Sequence, residues 1–136
     1  MIVAAFLTSA ISFDNSIACG DKAPKIETLE GSDIISGSSD GKAKFISFWN
    51  PKKPASRIAN KKYYNELLDN DNMEFISICT DNDEALMQEV MKMDGMNHAT
   101  NYAYSQIMPR VFKDYEVEEN PRAFIISSDG KIKEIR

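Results

Sequence analysis

Reactive side chains are scarce in this chain of 136 residues. Its two cysteines, Cys19 and Cys79, lie far apart and its one histidine is His98, so neither a Cys/His zinc cluster nor a Cys-X-X-Cys redox pair can be assembled. No metal and no cofactor are expected. Basic residues are also in the minority, 16 Lys and Arg against 21 Asp and Glu, for a net charge of -5. They are scattered or interleaved with acids rather than gathered into a stripe, which disfavours a nucleic-acid partner. Long hydrophobic runs are nearly absent too. The chain as a whole, 43% hydrophobic and 27% charged, has the composition of an ordinary globular domain, which excludes collagen-like, disordered and multi-domain readings.

The one long apolar run, Ile2 to Phe13, is broken only by Thr8, Ser9 and Ser12 and is too short to span a bilayer comfortably. It has the length of a signal-peptide h-region, and Ser16-Ile17-Ala18 supplies the small-X-small pattern of a cleavage site. No Lys or Arg precedes the run, so the alternatives are an export signal missing its basic n-region and an ordinary buried helix. The first reading makes residues 1–18 a signal peptide and 19–136 the mature domain, and places the protein in the periplasm or cell envelope. Cys19 at the mature N-terminus is then a candidate for lipid attachment and membrane anchoring, with Ser16 standing where lipoprotein signals usually carry Leu.

Beyond Lys22 the chain alternates between two periods, with Gly31 to Gly41 as its one clear polar loop. Phe45 to Trp49 is a nearly continuous apolar run of the kind a strand buried on both faces shows. Pro54 opens a helix whose stripe is Ala55, Ala59, Tyr63 and Leu67, with Ile58 on the same side. Met73 to Cys79 is a second core strand. Asp81 or Asp83 can cap the next helix, whose stripe is Leu86, Val90 and Met93 and whose end is Gly95. A weaker helical stretch runs from Tyr104 to Tyr115, limited or kinked by Pro109. Ala123 to Ser127, the turn at Asp129-Gly130 and Lys131 to Ile135 complete the chain as a hairpin. The order β-α-β-α-α-β-β calls for an α/β sandwich with a mixed, mostly parallel sheet and helices on its faces.

Four stretches at the joints of this pattern resemble the thioredoxin superfamily, in particular its exported TlpA-like and redoxin branch. They are Gly20-Asp21-Lys22-Ala23-Pro24; Gly41-Lys42 followed by Phe45 to Trp49; Tyr115-X-Val117 with Asn120-Pro121 and Phe124-Ile125-Ile126; and Asp129-Gly130-Lys131-Ile132. The resemblance implies a thioredoxin-like sandwich with a reactive dithiol at the N-terminus of its first long helix, facing a cis proline. Laid on Phe48-Trp49 and Arg57, the family's dithiol falls on Lys53 and Ser56. Both thiols are missing. Thiol-disulfide exchange needs an attacking thiolate and a second thiol to resolve the mixed disulfide, and neither Lys nor Ser supplies one.

The binding groove implied by the resemblance comprises Trp49, Lys53, Ser56, Asn120 and Pro121, with Pro121 as the cis proline and Asn120 offering its backbone to an extended segment. Trp49 reads as core or groove wall, and Lys52 with Lys53 as a solvated surface pair in preference to an anion contact. Ser56 suits the free N–H groups of a first helical turn; with one histidine in the chain it is not a nucleophile. Cys79 reads as an inert buried thiol, His98 as a loop residue, and Met87, Met91 and Met96 as packing.

The expected function is that of a degenerate thioredoxin-like domain of the cell envelope, without dithiol redox activity, binding a protein or an extended peptide segment. A thiol-disulfide oxidoreductase or redoxin-type antioxidant protein is the alternative. The family's C-terminal helix is apparently absent after Arg136, and the sheet face it would cover is expected to expose an apolar patch that invites a partner or a homodimer.

Overall fold

In the computed structural model, which describes residues 16–36 and 41–136, the apolar run ending in Trp49 forms the central strand β1, Ala43–Trp49. It is followed by α1 (Pro54–Leu67), β2 (Met73–Cys79), α2 (Glu84–Met93), β3 (Thr100–Tyr102), a 3₁₀ turn at Tyr104–Gln106, α3 (Pro109–Asp114), β4 (Ala123–Ile126) and β5 (Ile132–Ile135). The sheet order is β3-β2-β1-β4-β5. β1 pairs parallel with β2, placing Phe45 opposite Phe75 and Trp49 opposite Cys79, and β2 pairs parallel with β3. β4 lies antiparallel on the other side of β1, and β5 antiparallel to β4.

Side-chain alternation along β1 divides the core in two. Ile46 and Phe48 face one side with Ile76, Ile78, Phe124 and Ile126, beneath Val111 and Phe112 of α3, Tyr115 and Val117. Phe48 meets the rings of Tyr115 and Phe124 at centroid distances of 5.2 and 5.9 Å. The other side is covered by α1 and α2: Tyr63 and Leu67 lie against Phe45 and Ile125, and Met87, Val90 and Met91 against Trp49 and Cys79. Burial of each such side chain contributes roughly 1.5–3 kcal/mol.

Local chemistry sets the element ends. Pro54 and Pro109 each sit in the first turn of their helix, where a missing N–H costs nothing. Asp83 caps α2 by accepting from the Leu86 N–H at 3.1 Å, and Gly95 takes the positive φ of 70° that ends it. The Gly20 to Ala23 segment hydrogen-bonds to the β4–β5 hairpin through Gly20 N–H to Ile132 O and Ala23 N–H to Gly130 O, both 2.8 Å.

Several expectations are corrected. The α1 stripe is displaced: Asn60 is buried, whereas Ala55 is exposed and Ile58 is 67% exposed. In α2 the buried residues are Met87, Val90 and Met91, and Met93 is 64% exposed. β3 was not anticipated, and the single stretch from Tyr104 to Tyr115 divides at Ile107 and Met108 into a 3₁₀ turn and α3. Among the described residues, the expected apolar patch is not formed. Phe45, Ala123 and Ile125 are buried because Tyr63 and Leu67 cover them and the Arg136 guanidinium lies over the Phe45 and Tyr63 rings, 5.6 and 5.8 Å from their centroids. The export-signal reading of residues 1–18 falls mostly on residues 1–15, which lie outside those described. Ile17 packs against the first core cluster and Cys19 is exposed.

Candidate functional site

The chain leaves β1 at Trp49 and enters α1 at Pro54, four residues after Asn50. Lys53 occupies the N-cap with extended backbone and no side-chain cap, and the first turn carries no acid. Ser56 does not cap the helix, contrary to its expected role. Its hydroxyl accepts from the Asn50 N–H at 2.8 Å and lies 2.9 Å from Asn50 O, clamping the loop to the turn. The Asn50 side chain in turn accepts from Lys52 N–H at 2.8 Å.

A lysine at a helix N-terminus opposes the dipole by roughly 0.3–1 kcal/mol. Here the ammonium is drawn away from it: Lys53 Nζ crosses to the loop before β4 and donates to the backbone carbonyl of Glu119. This contact spans the gap between the dithiol position and the segment ending in Asn120-Pro121. Lys52 Nζ pairs with Asp81 Oδ1 at 3.4 Å. Arg57 donates to both oxygens of Asp94, at 3.0 and 2.7 Å, and its guanidinium holds the Asp94 carboxyl below the usual carboxylate range. Lys52 and Lys53 are therefore each partnered rather than a merely solvated pair. Pro51, Pro54, Arg57, Ile58, Lys61 and Asp94 line a cleft of about 280 Å³ beside this turn.

Of the expected groove residues, Lys53, Asn120 and the intervening Glu119 come together. Trp49 does not join them: it is 1% exposed and its indole N–H donates to Asn101 Oδ1 at 3.2 Å, so it is core and not groove wall. Pro121 departs from the implied geometry, since no cis peptide bond occurs among the described residues. Trans is the lower-energy isomer for X–Pro by about 0.5–1 kcal/mol. The position of the following residue is fixed by Arg122 O accepting from Phe48 N–H at 3.0 Å and by the Arg122 guanidinium 5.4 Å from the Phe124 ring centre.

The thiols are elsewhere. Cys79 is buried beside Trp49, donates to Asp81 O at 3.3 Å, and burial pushes its pKa up to about 11, leaving almost no thiolate at neutral pH. Cys19 is exposed, and both cysteines are free. His98 lies exposed in the loop after α2. The groups sequence reasoning missed are the acceptors, Glu119, Asp94 and Asn50. Asp81 was noticed only as a cap.

No family model matches the sequence, and no curated protein matches it. Solved structures do match. A thioredoxin-like protein from Parabacteroides distasonis superposes with a TM-score of 0.74 at 23% identity, covering 88% of each chain. The fold is thioredoxin-like. The thioredoxin domain of a thiol-disulfide oxidoreductase from Bacteroides vulgatus gives 0.66 at 20% identity over 89% of each chain. A secreted disulfide oxidoreductase from Mycobacterium tuberculosis gives 0.62 at 22% identity, over 82% of this chain and 81% of that one. In this thioredoxin-like chain, the first-helix N-terminus bears Lys53 and Ser56.

Proposed function

We propose that this chain is an exported thioredoxin-like domain that lacks dithiol redox activity and works as a protein- or peptide-binding module. The observation that carries the reading is Lys53, which stands at the dithiol position and holds the Glu119 carbonyl. A lysine there can donate hydrogen bonds and carry charge, but it cannot exchange a disulfide. The other half of the argument is Cys79, buried and with its thiol pKa near 11. Export is supported by the apolar leader and by the secreted mycobacterial neighbour.

Docking is supported by the exposed backbone around Glu119 and Asn120 and by Ile58, a large apolar side chain left in solvent beside the same turn. An extended segment pairing with this edge competes with Lys53 for the Glu119 carbonyl. The test is an array of extended peptides probed with the purified protein. Binding by the wild type, tightened several-fold in Lys53→Met by release of the carbonyl and weakened in Pro121→Ala, supports the module. No binding by either the wild type or Lys53→Met overturns it.

The activity named for two of the similar structures favours a second reading, a thiol-disulfide oxidoreductase. It requires a working thiol at Cys19 or Cys79, and turnover abolished by Cys79→Ser would establish it.

A further inference from the structure

Pro54, Arg57, Ile58 and Lys61 recur at helical spacing and so share one face of α1. That face is turned outward, because α1 packs inward through Asn60, Tyr63 and Leu67. With Pro51 and Asp94 it lines the cleft of about 280 Å³ beside the turn. Sites that enclose a whole small molecule hold roughly 300–1,000 Å³. A cleft below that range suits one side chain of a larger partner.

The lining is divided in its chemistry. Pro51, Pro54 and Ile58 make one part apolar, and Ile58 stands 67% exposed there with two prolines continuing its surface. The other part is ionic, and its internal pairing leaves one cation over. Arg57 donates to both oxygens of Asp94, whose side chain is 9% exposed, so that carboxylate is already engaged. Lys61 follows Arg57 by four residues, a spacing at which like charges repel on a helix. Its attraction to Asp94 ranks behind the Arg57 hydrogen bonds, and it makes no hydrogen bond or ion pair with a described residue. A carboxylate brought by a partner and set on Lys61 relieves that repulsion.

We propose that this cleft selects extended protein segments carrying an aliphatic side chain two residues from a carboxylate, the first seated against Pro51, Pro54 and Ile58 and the second on Lys61. The spacing follows from geometry. Residues three apart on a helix face lie about 5–6 Å from each other, and alternate residues of an extended segment share one side at a separation of about 6.6–6.8 Å. The inference rests on the reading of this chain as a docking module and gives that module a sequence preference. Lys53 meets the Glu119 carbonyl from the same turn, so backbone pairing there and side-chain selection here can be tested apart.

The test measures fluorescence anisotropy of three labelled nine-residue peptides built on Thr and Ser, with Leu-Thr-Glu, Leu-Thr-Lys or Ser-Thr-Glu at the centre, against the full chain at physiological salt. The wild type should bind the first about three- to fivefold more tightly than the second and about tenfold more tightly than the third. Lys61→Glu should reverse the charge preference and keep the leucine preference; Ile58→Ser should do the opposite, erasing the leucine preference alone. Both side chains are exposed, so the urea midpoints of the variants should match the wild type. Peptide binding without these preferences, or preferences that neither substitution moves, overturns the inference and leaves the docking module standing. No binding of any peptide by the wild type or by Lys53→Met overturns both. Self-association of the wild type that Ile58→Ser abolishes assigns the cleft to a second copy and overturns the inference as well.

Discussion

At the Trp49 end of β1 each of the three cations of the turn has an acceptor: Lys52 has Asp81, Lys53 the Glu119 carbonyl, and Arg57 both oxygens of Asp94. At the Ala43 end, roughly 20 Å away along the strand, Lys44 is more deeply buried and its side chain makes no hydrogen bond or ion pair with a described residue. The first end is where the resemblance places the fold's chemistry, yet its three turn cations are satisfied internally. The second end has no role implied by the fold, and there the Lys44 side chain is held by burial of its stem rather than by an acceptor among the described residues. The contrast teaches that resemblance of scaffold and readiness for a ligand are separate properties, each to be read from local bonding.

The largest effect should come from the core that joins the two ends. Phe48→Ala removes a ring packed on Tyr115, Phe112 and Phe124 and should cost about 3–5 kcal/mol, measured by urea unfolding. Both ends should lose structure in one transition; separate transitions would break the picture of one domain with two differently used poles.

Cys79 should give the next largest effect. Its thiol pKa stands near 11 against an ordinary 9.0, so the buried thiol favours the folded state fully below pH 9 and that advantage, on the order of 2 kcal/mol, is lost as pH rises from 9 through 11. Thermal stability of the wild type should fall across that window and Cys79→Ala should show a shallower fall. A Cys79 that alkylates as fast as Cys19 at pH 7 would show that the first end does keep a usable thiol.

Ser56→Ala tests the clamp at the first end directly. Removing the hydroxyl that serves Asn50 N–H and Asn50 O should cost about 1 kcal/mol, seen as a lowered urea midpoint.

The smallest effect is expected from Asp94→Asn. Arg57 lowers the Asp94 pKa, so the carboxylate's contribution is present above the ordinary carboxylate range and is lost as pH falls through the lowered value. The variant should flatten the acid limb of the melting temperature between pH 5 and about 2. An unchanged acid limb would remove Asp94 from the set of matched partners.

Much of the fold was legible in the sequence, because β1, β2 and β4 are nearly continuous apolar runs and Pro54, Asp83, Gly95 and Pro109 mark the helix ends. β3 was not, since Thr-Asn-Tyr at a sheet edge has neither length nor alternation to signal it. The α1 stripe was misplaced because its alanines carry little hydrophobic weight and the chain turns a polar residue, Asn60, inward, with its amide 3.8 Å from Met96 Sδ. At the site, counting from Phe48-Trp49 led to Lys53 and Ser56 as the expected dithiol positions, and the absence of a Cys-X-X-Cys pair could be read at once. Their partners could not: Lys53 and Glu119 are 66 positions apart and Arg57 and Asp94 are 37 apart, and no local pattern encodes such pairings.

This thioredoxin-like scaffold is proposed to carry no dithiol chemistry. Reduction of insulin disulfides by the purified protein in the presence of dithiothreitol, monitored by turbidity, tests it most directly. The prediction is no acceleration over dithiothreitol alone, for the wild type and for Cys19→Ser with Cys79→Ser alike. Acceleration by the wild type that is lost in the double substitution would contradict it.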